Sequence, residues 1–152
     1  MEPRDVAQWI AEALPCVTVK ASYGETAWFY NPGGFFANGT YFLTLKRANG
    51  PNDRASRLDR EGVWRLSFGL PPSIYEERFG PRPARPAKGG ICDGGWAYDA
   101  IDVLHPHPIY GWMGWVAVNA PTRRRLEEVK PLIHAAYDKA RAGFEKRTRA
   151  AA

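Results

Sequence analysis

The feature that most constrains this chain lies near its end. Leu126, Val129, Leu132, Ile133, Ala136, Tyr137, Ala140 and Phe144 recur at the three- and four-residue spacing that lines up one face of a helix. An apolar stripe of that length needs a broad apolar surface to cover. Pro131 falls inside the stripe, so it must stand near a first turn or mark a break, since an interior proline costs about 3 kcal/mol.

The surface is supplied by strands. TYFLTLKR (residues 40–47) and VWRLSFGL (63–70) alternate apolar and polar residues and are rich in aromatic and β-branched side chains. In the first, Tyr41, Leu43 and Leu45 share one face and Phe42, Thr44 and Lys46 the other. VTVKAS (17–22) and TAWFYNP (26–32) read as two further strands, and Gly111 to Asn119 as another, with Cys92 to Asp102 long enough for one short strand. Asn31-Pro32-Gly33-Gly34 and Asn38-Gly39 mark tight turns between them. Short connections favour antiparallel pairing. An N-terminal helix follows from Pro3 and the Val6, Trp9, Ile10, Ala13 spacing, ended by Pro15. A short middle helix, SIYEERFG, opens at Pro71-Pro72-Ser73 and stops at Gly80. The expected architecture is a single α+β domain over residues 1–147. It has a mostly antiparallel sheet, an N-terminal helix, a short middle helix and a packed C-terminal helix, with 148–152 as a disordered tail.

The 152 residues carry a formal charge of +5. Residues 1–120 hold twelve basic and twelve acidic side chains, so the surplus lies wholly beyond them, on the last helix and tail. Such a field attracts nucleic acid or anionic surfaces. No apolar run reaches the ~18 residues of a membrane span, and the acidic start lacks the pattern of a signal peptide. A cytoplasmic protein is expected, with no membrane partner. Cys16 and Cys92 form no C-x-x-C pattern and are expected to be free thiols, Cys16 as a small buried apolar residue.

No G-x-S-x-G elbow, P-loop or G-x-G-x-x-G fingerprint is present, so no cofactor is expected and a binding protein is favoured over an enzyme. His105 and His107 stand two apart, so an extended backbone aims both rings at one face. A metal would need a third ligand from Asp99, Asp102 or Cys92. Since a proline follows each histidine, a stiff loop whose imidazoles bond to main chain is the simpler reading, and no metal is assigned. NDRASRLDR (52–60) crowds Asp53, Arg54, Arg57, Asp59 and Arg60 together. It reads as a loop that neutralises itself, Asp53 capping a turn and Asp59 pairing an arginine. The aromatics exceed what one strand face can bury.

The segments NPGG, YFLTLK, NDRAS, LDR, VWRLSFG and HPIYGWMGWV, with the terminal LIHAAYDKA, resemble an uncharacterised bacterial family, a domain of unknown function. The W-V strand and the Leu132, Ile133, Ala136, Tyr137 pattern are more distantly similar to MmcQ/YjbR-like proteins. That resemblance implies a compact α+β fold and a possible DNA-binding module, and carries no catalytic residues.

Two functions are therefore expected. The first is a non-enzymatic nucleic-acid-binding module in which Arg123, Arg124, Arg125, Lys130, Lys139 and Arg141 contact phosphates, assisted by Arg82, Arg85 and Lys88. The alternative is a small-molecule-binding protein or cryptic enzyme. Its aromatic pocket would be formed by Trp28, Tyr30, Trp64, Tyr110 and Trp112, with Arg54, His105 and His107 at the rim.

Overall fold

A computed structural model describes residues 1–151. Its elements are α1 (Pro3–Ala13), β1 (Val17–Ser22), β2 (Glu25–Tyr30), β3 (Thr40–Lys46), β4 (Arg65–Gly69), α2 (Pro72–Phe79), β5 (Leu104–Pro106), β6 (Trp115–Asn119) and α3 (Arg123–Ala151). The strands form one antiparallel sheet in the order β1-β2-β3-β4-β6-β5. The expected α+β architecture is the one observed.

α1 and α3 cover one face of the sheet. Val6 and Ile10 from α1 and Val129, Ile133, Ala136 and Tyr137 from α3 pack on Leu43, Leu45, Leu66, Phe68 and Val116. All these side chains are buried. Burying one such residue is worth about 1.5–3 kcal/mol, so this layer is a large source of the folding drive. α3 runs unbroken through Pro131, which stands neither in a first turn nor at a break, contrary to expectation. Proline removes only the amide that would bond the Glu127 carbonyl, and apolar contacts on either side of it, at Val129 and Ile133, hold the helix to the core. The helix also continues over residues 148–151, read from sequence as tail; residue 152 lies outside the described residues.

Strict alternation fails in β3. The β2–β3 register shifts between Trp28 and Phe29, leaving Phe42 as an extra residue. In such a bulge two neighbouring residues point the same way. Phe42 and Leu43 therefore both enter the core, and Tyr41 joins Phe29 on the opposite face. The 111–119 segment also departs from a single strand. Gly111–Met113 form a 3-10 turn closed by Gly114 at φ +91°, and the strand begins only at Trp115. Residues 92–102 hold no strand; the Asn119 side chain donates instead to the carbonyls of Tyr98 (2.8 Å) and Ala100 (3.0 Å). Cys16 is exposed rather than buried, because it occupies the left-handed turn (φ +62°) between α1 and β1.

Candidate functional site

The cross-strand register places Thr44 with Ser67, Lys46 with Arg65, Ser67 with Ala117, and Arg65 with Asn119 on the sheet face turned away from the helices. His105, paired with Ala117, belongs to that face too. These polar positions ought to be wet. They are not: Thr44, Arg65, Ser67, His105, His107 and Asn119 are all buried. The connections of residues 47–62 and 80–110 roof them over. Arg60 ties the two connections together by donating to the carbonyls of Ser56 (2.9 Å) and Asp99 (2.8 Å).

At the centre two cations, Lys46 and Arg65, stand directly opposite each other on neighbouring strands. Like charges in that position repel. Asp53, delivered by the roof loop, resolves the conflict. Its carboxylate accepts from Arg65 at 2.9 and 2.5 Å and from Lys46 at 3.0 Å. Ser56 Oγ accepts a further Arg65 bond at 3.0 Å, and Glu25 stands 3.8 Å from Lys46. Burial alone would push the Asp53 carboxyl up. The Arg65 hydrogen bonds and charge, with Lys46 behind them and a smaller contribution from His107, more than reverse this and hold it well below the usual carboxylate range. So the loop does not neutralise itself as expected. Asp53 spends its charge on the sheet, and Asp59 forms no ion pair among the described residues.

Both histidines bond to main chain, as the loop reading expects. His105 Nδ1 lies 2.8 Å from the Pro106 carbonyl, which can only accept, so that nitrogen carries the proton. His107 Nδ1 accepts from the amides of Ile109 (3.0 Å) and Tyr110 (3.1 Å), so the proton of its neutral ring sits on Nε2. Burial, and then the Arg65 charge, push His107 well below its ordinary value; burial also lowers His105. Among the described residues no three His, Cys, Asp or Glu side chains converge as a metal site would require. Arg65 Nε, Ser67 Oγ and Asn119 Oδ1, all on this one polar face, are buried with no hydrogen-bond partner among the described residues.

Beside the polar layer lies a cleft of about 530 Å³ that is open to solvent. Lys46 and Asp53 reach its floor, the 85–90 loop forms one wall, and Tyr110 and Trp112 form another. The Arg85 guanidinium lies 4.9 Å from the centre of the Trp112 ring. Neither Arg85 nor the neighbouring Lys88 has a carboxylate within 4 Å among the described residues.

The residues expected to form an aromatic pocket are thus divided. Tyr110 and Trp112 line the cleft. His105 and His107 are buried in the polar layer beneath the loops. Trp28 and Trp64 belong to the core on the helix side, and Tyr30 sits edge-on to Tyr137 and Phe144 there. Arg54 is exposed and does not line the cleft. The expected phosphate contacts on α3 are exposed to differing degrees, and most lie beside acids. Arg123 stands 3.7 Å from Asp5, Arg124 3.3 Å from Glu128, Arg125 2.8 Å from Glu128, and Arg141 3.9 Å from Glu145. Lys130 pairs with Glu127 and lies over the Trp9 ring. Lys139 donates to the Leu70 carbonyl at 3.2 Å, and burial pushes its ammonium down. Sequence reading missed Lys46, Asp53 and Arg65 as one unit; the signal was a polar residue at every second position of two strands beside a loop carrying a carboxylate.

Fold and site together define an α+β protein in which loops roof part of a polar sheet face beside a cationic cleft. The chain belongs to a family of unknown function (DUF6194), whose model matches residues 1–149. No curated protein and no solved structure matches it. No helix among the described residues is long and apolar enough to cross a membrane.

Proposed function

We propose that the protein binds an anionic molecule carrying a planar or apolar group, and that the 530 Å³ cleft is where it binds. The observation that carries this reading is the pair Arg85 and Lys88. They face the cleft without a carboxylate, whereas the floor cation Lys46 is already matched by Asp53 and Glu25. Two uncompensated cations at a concave site favour a phosphate or carboxylate. Tyr110 and Trp112 supply the apolar wall that such sites combine with a few polar groups. Because Arg85 is laid against Trp112, its fork is partly ordered before a ligand arrives.

Binding is favoured over turnover. The natural acid–base groups, His105 and His107, are buried and committed to backbone bonds. The basic helix is the less favoured partner surface, since neighbouring carboxylates subtract from its field. A cytoplasmic location and a distant MmcQ/YjbR-like relationship belong to the same proposal; two unbridged cysteines accord with the former.

The test is thermal stabilisation by a panel of anions: inorganic phosphate, nucleoside monophosphates and aromatic carboxylates. A ligand at a hundred times its Kd stabilises by about 2.7 kcal/mol. The wild type should respond to at least one member, and Arg85→Ala/Lys88→Ala should not. An equal response from the double variant overturns the assignment.

A further inference from the structure

We infer that the cleft is one end of a longer groove and that the groove takes a short single-stranded nucleic acid, its bases lying on exposed aromatics of the open sheet face. This rests on the cleft reading above and names its ligand class.

A second concavity of about 300 Å³ lies over β1 and β2, with Ala27 and Phe29 as its floor and Lys20 and Tyr23 at its rim. It shares Glu25 and Lys46 with the cleft, so the two run together. This part of the polar face is the part the loops leave uncovered. The β3 bulge turns Tyr41 onto it beside Phe29, with ring centres 6.0 Å apart. Tyr41 is held from beneath: its ring stacks on Trp115 at 5.0 Å, and Trp115 lies over Gly69, where a Cβ would come within 2.8 Å of the indole. Tyr41 and Tyr110 are both more than two-fifths exposed. Single exposed aromatics are ordinary, but a supported row on a sheet face is not.

The charge pattern selects the occupant. Lys20, Arg85 and Lys88 line the combined groove with no carboxylate within 4 Å among the described residues, while Lys46 is matched by Asp53 and Glu25. A lone phosphate has no use for the aromatic row, and an apolar peptide has none for three unmatched cations. A duplex keeps its base faces stacked inside. A single strand offers both chemistries, phosphates for the cations and open base faces for Phe29, Tyr41 and Tyr110, and sheet platforms of this kind stack two or three bases.

Fluorescence anisotropy of the full-length protein with labelled single strands of about twelve nucleotides, the matching duplex, and unlabelled AMP and phosphate as competitors tests this. Single strands should bind, more tightly than the duplex and than AMP, and weaken steeply between about 50 and 200 mM salt. Phe29→Leu/Tyr41→Leu keeps apolar bulk but removes the stacking faces. It should weaken the single strand about tenfold or more while leaving AMP binding and the far-ultraviolet circular dichroism spectrum unchanged. Arg124→Glu on α3 should have little effect. Equal affinity for duplex, or a loss confined to Arg124→Glu, overturns the inference. An unchanged Leu/Leu variant does so as well, and if Arg85→Ala/Lys88→Ala still abolishes AMP binding, the cleft reading survives alone. Retention of AMP binding in that double variant removes the cleft reading itself.

Discussion

Replacing Asp53 by asparagine should destabilise the protein far more than its position on a loop suggests. Arg65 is 2% exposed, on an inner strand, and among the described residues its only carboxylate partner is Asp53. Asparagine keeps an acceptor oxygen but removes the charge. Arg65 then stays buried without a counter-ion, directly opposite Lys46, whose remaining partner Glu25 stands 3.8 Å away. Removing one partner of a buried ion pair costs about 3–5 kcal/mol. In a chain of this size each kcal/mol moves the midpoint by roughly 2–4 °C, so Tm should fall by about 6–20 °C. Urea denaturation followed by circular dichroism gives the free energy directly. The double variant Asp53→Asn/Arg65→Met should recover much of the loss, because the stranded charge is gone. A single-variant cost below about 1 kcal/mol, the range of an exposed pair, would refute the view that this carboxylate holds the roof to the sheet.

Acid should unfold the protein in two stages. His105 and His107 have folded pKa values below the unfolded value of 6.5, so their contribution is complete above that pH and is lost as pH falls below it. Asp53, depressed in the folded state, contributes fully at neutral pH and loses its contribution as pH falls through and below the usual carboxylate range, near ~4. Urea titrations at successive pH values should show both steps, and His107→Asn, whose oxygen can replace Nδ1 as acceptor, should shrink the upper one. Gly69→Ala should lower Tm and the near-ultraviolet circular dichroism of the Trp115–Tyr41 stack, since its methyl group meets the indole at 2.8 Å; an unchanged spectrum would show that the stack is not seated there. Pro131→Ala should raise stability by about 1–3 kcal/mol by restoring the amide opposite the Glu127 carbonyl in α3, measured by the same urea curves.

The helix-facing half of the fold was legible because burial there follows a simple rule. The α3 stripe, the β4 leucine and phenylalanine, and the Val6 and Ile10 spacing each obey one periodicity, and each lands in the core. The other half was not, for a definite physical reason. Alternation tells which strand residues avoid the apolar layer; it does not tell whether water or more protein covers them. Arg65 and Ser67 look solvent-facing in RLSFG, yet both are buried. What makes that possible is Asp53, twelve residues upstream of Arg65 in a loop whose own arginines, Arg54 and Arg57, are nearer in sequence and carry the same charge. Nearness in sequence favoured a loop pairing with itself. Burial decides otherwise, because an unpaired guanidinium inside the sheet costs several kcal/mol, whereas exposed Arg54 and Arg57 are solvated by water at little cost. The carboxylate therefore goes to the cation that cannot reach solvent. The same reasoning separates the aromatics. Trp28 and Trp64 lie on the helix side, while a single extra residue at Phe42 reverses Tyr41 onto the open face. A bulge leaves no mark in the apolar–polar pattern when the residues around it are Tyr, Phe and Leu, so the surface it creates becomes visible only once the strands are paired.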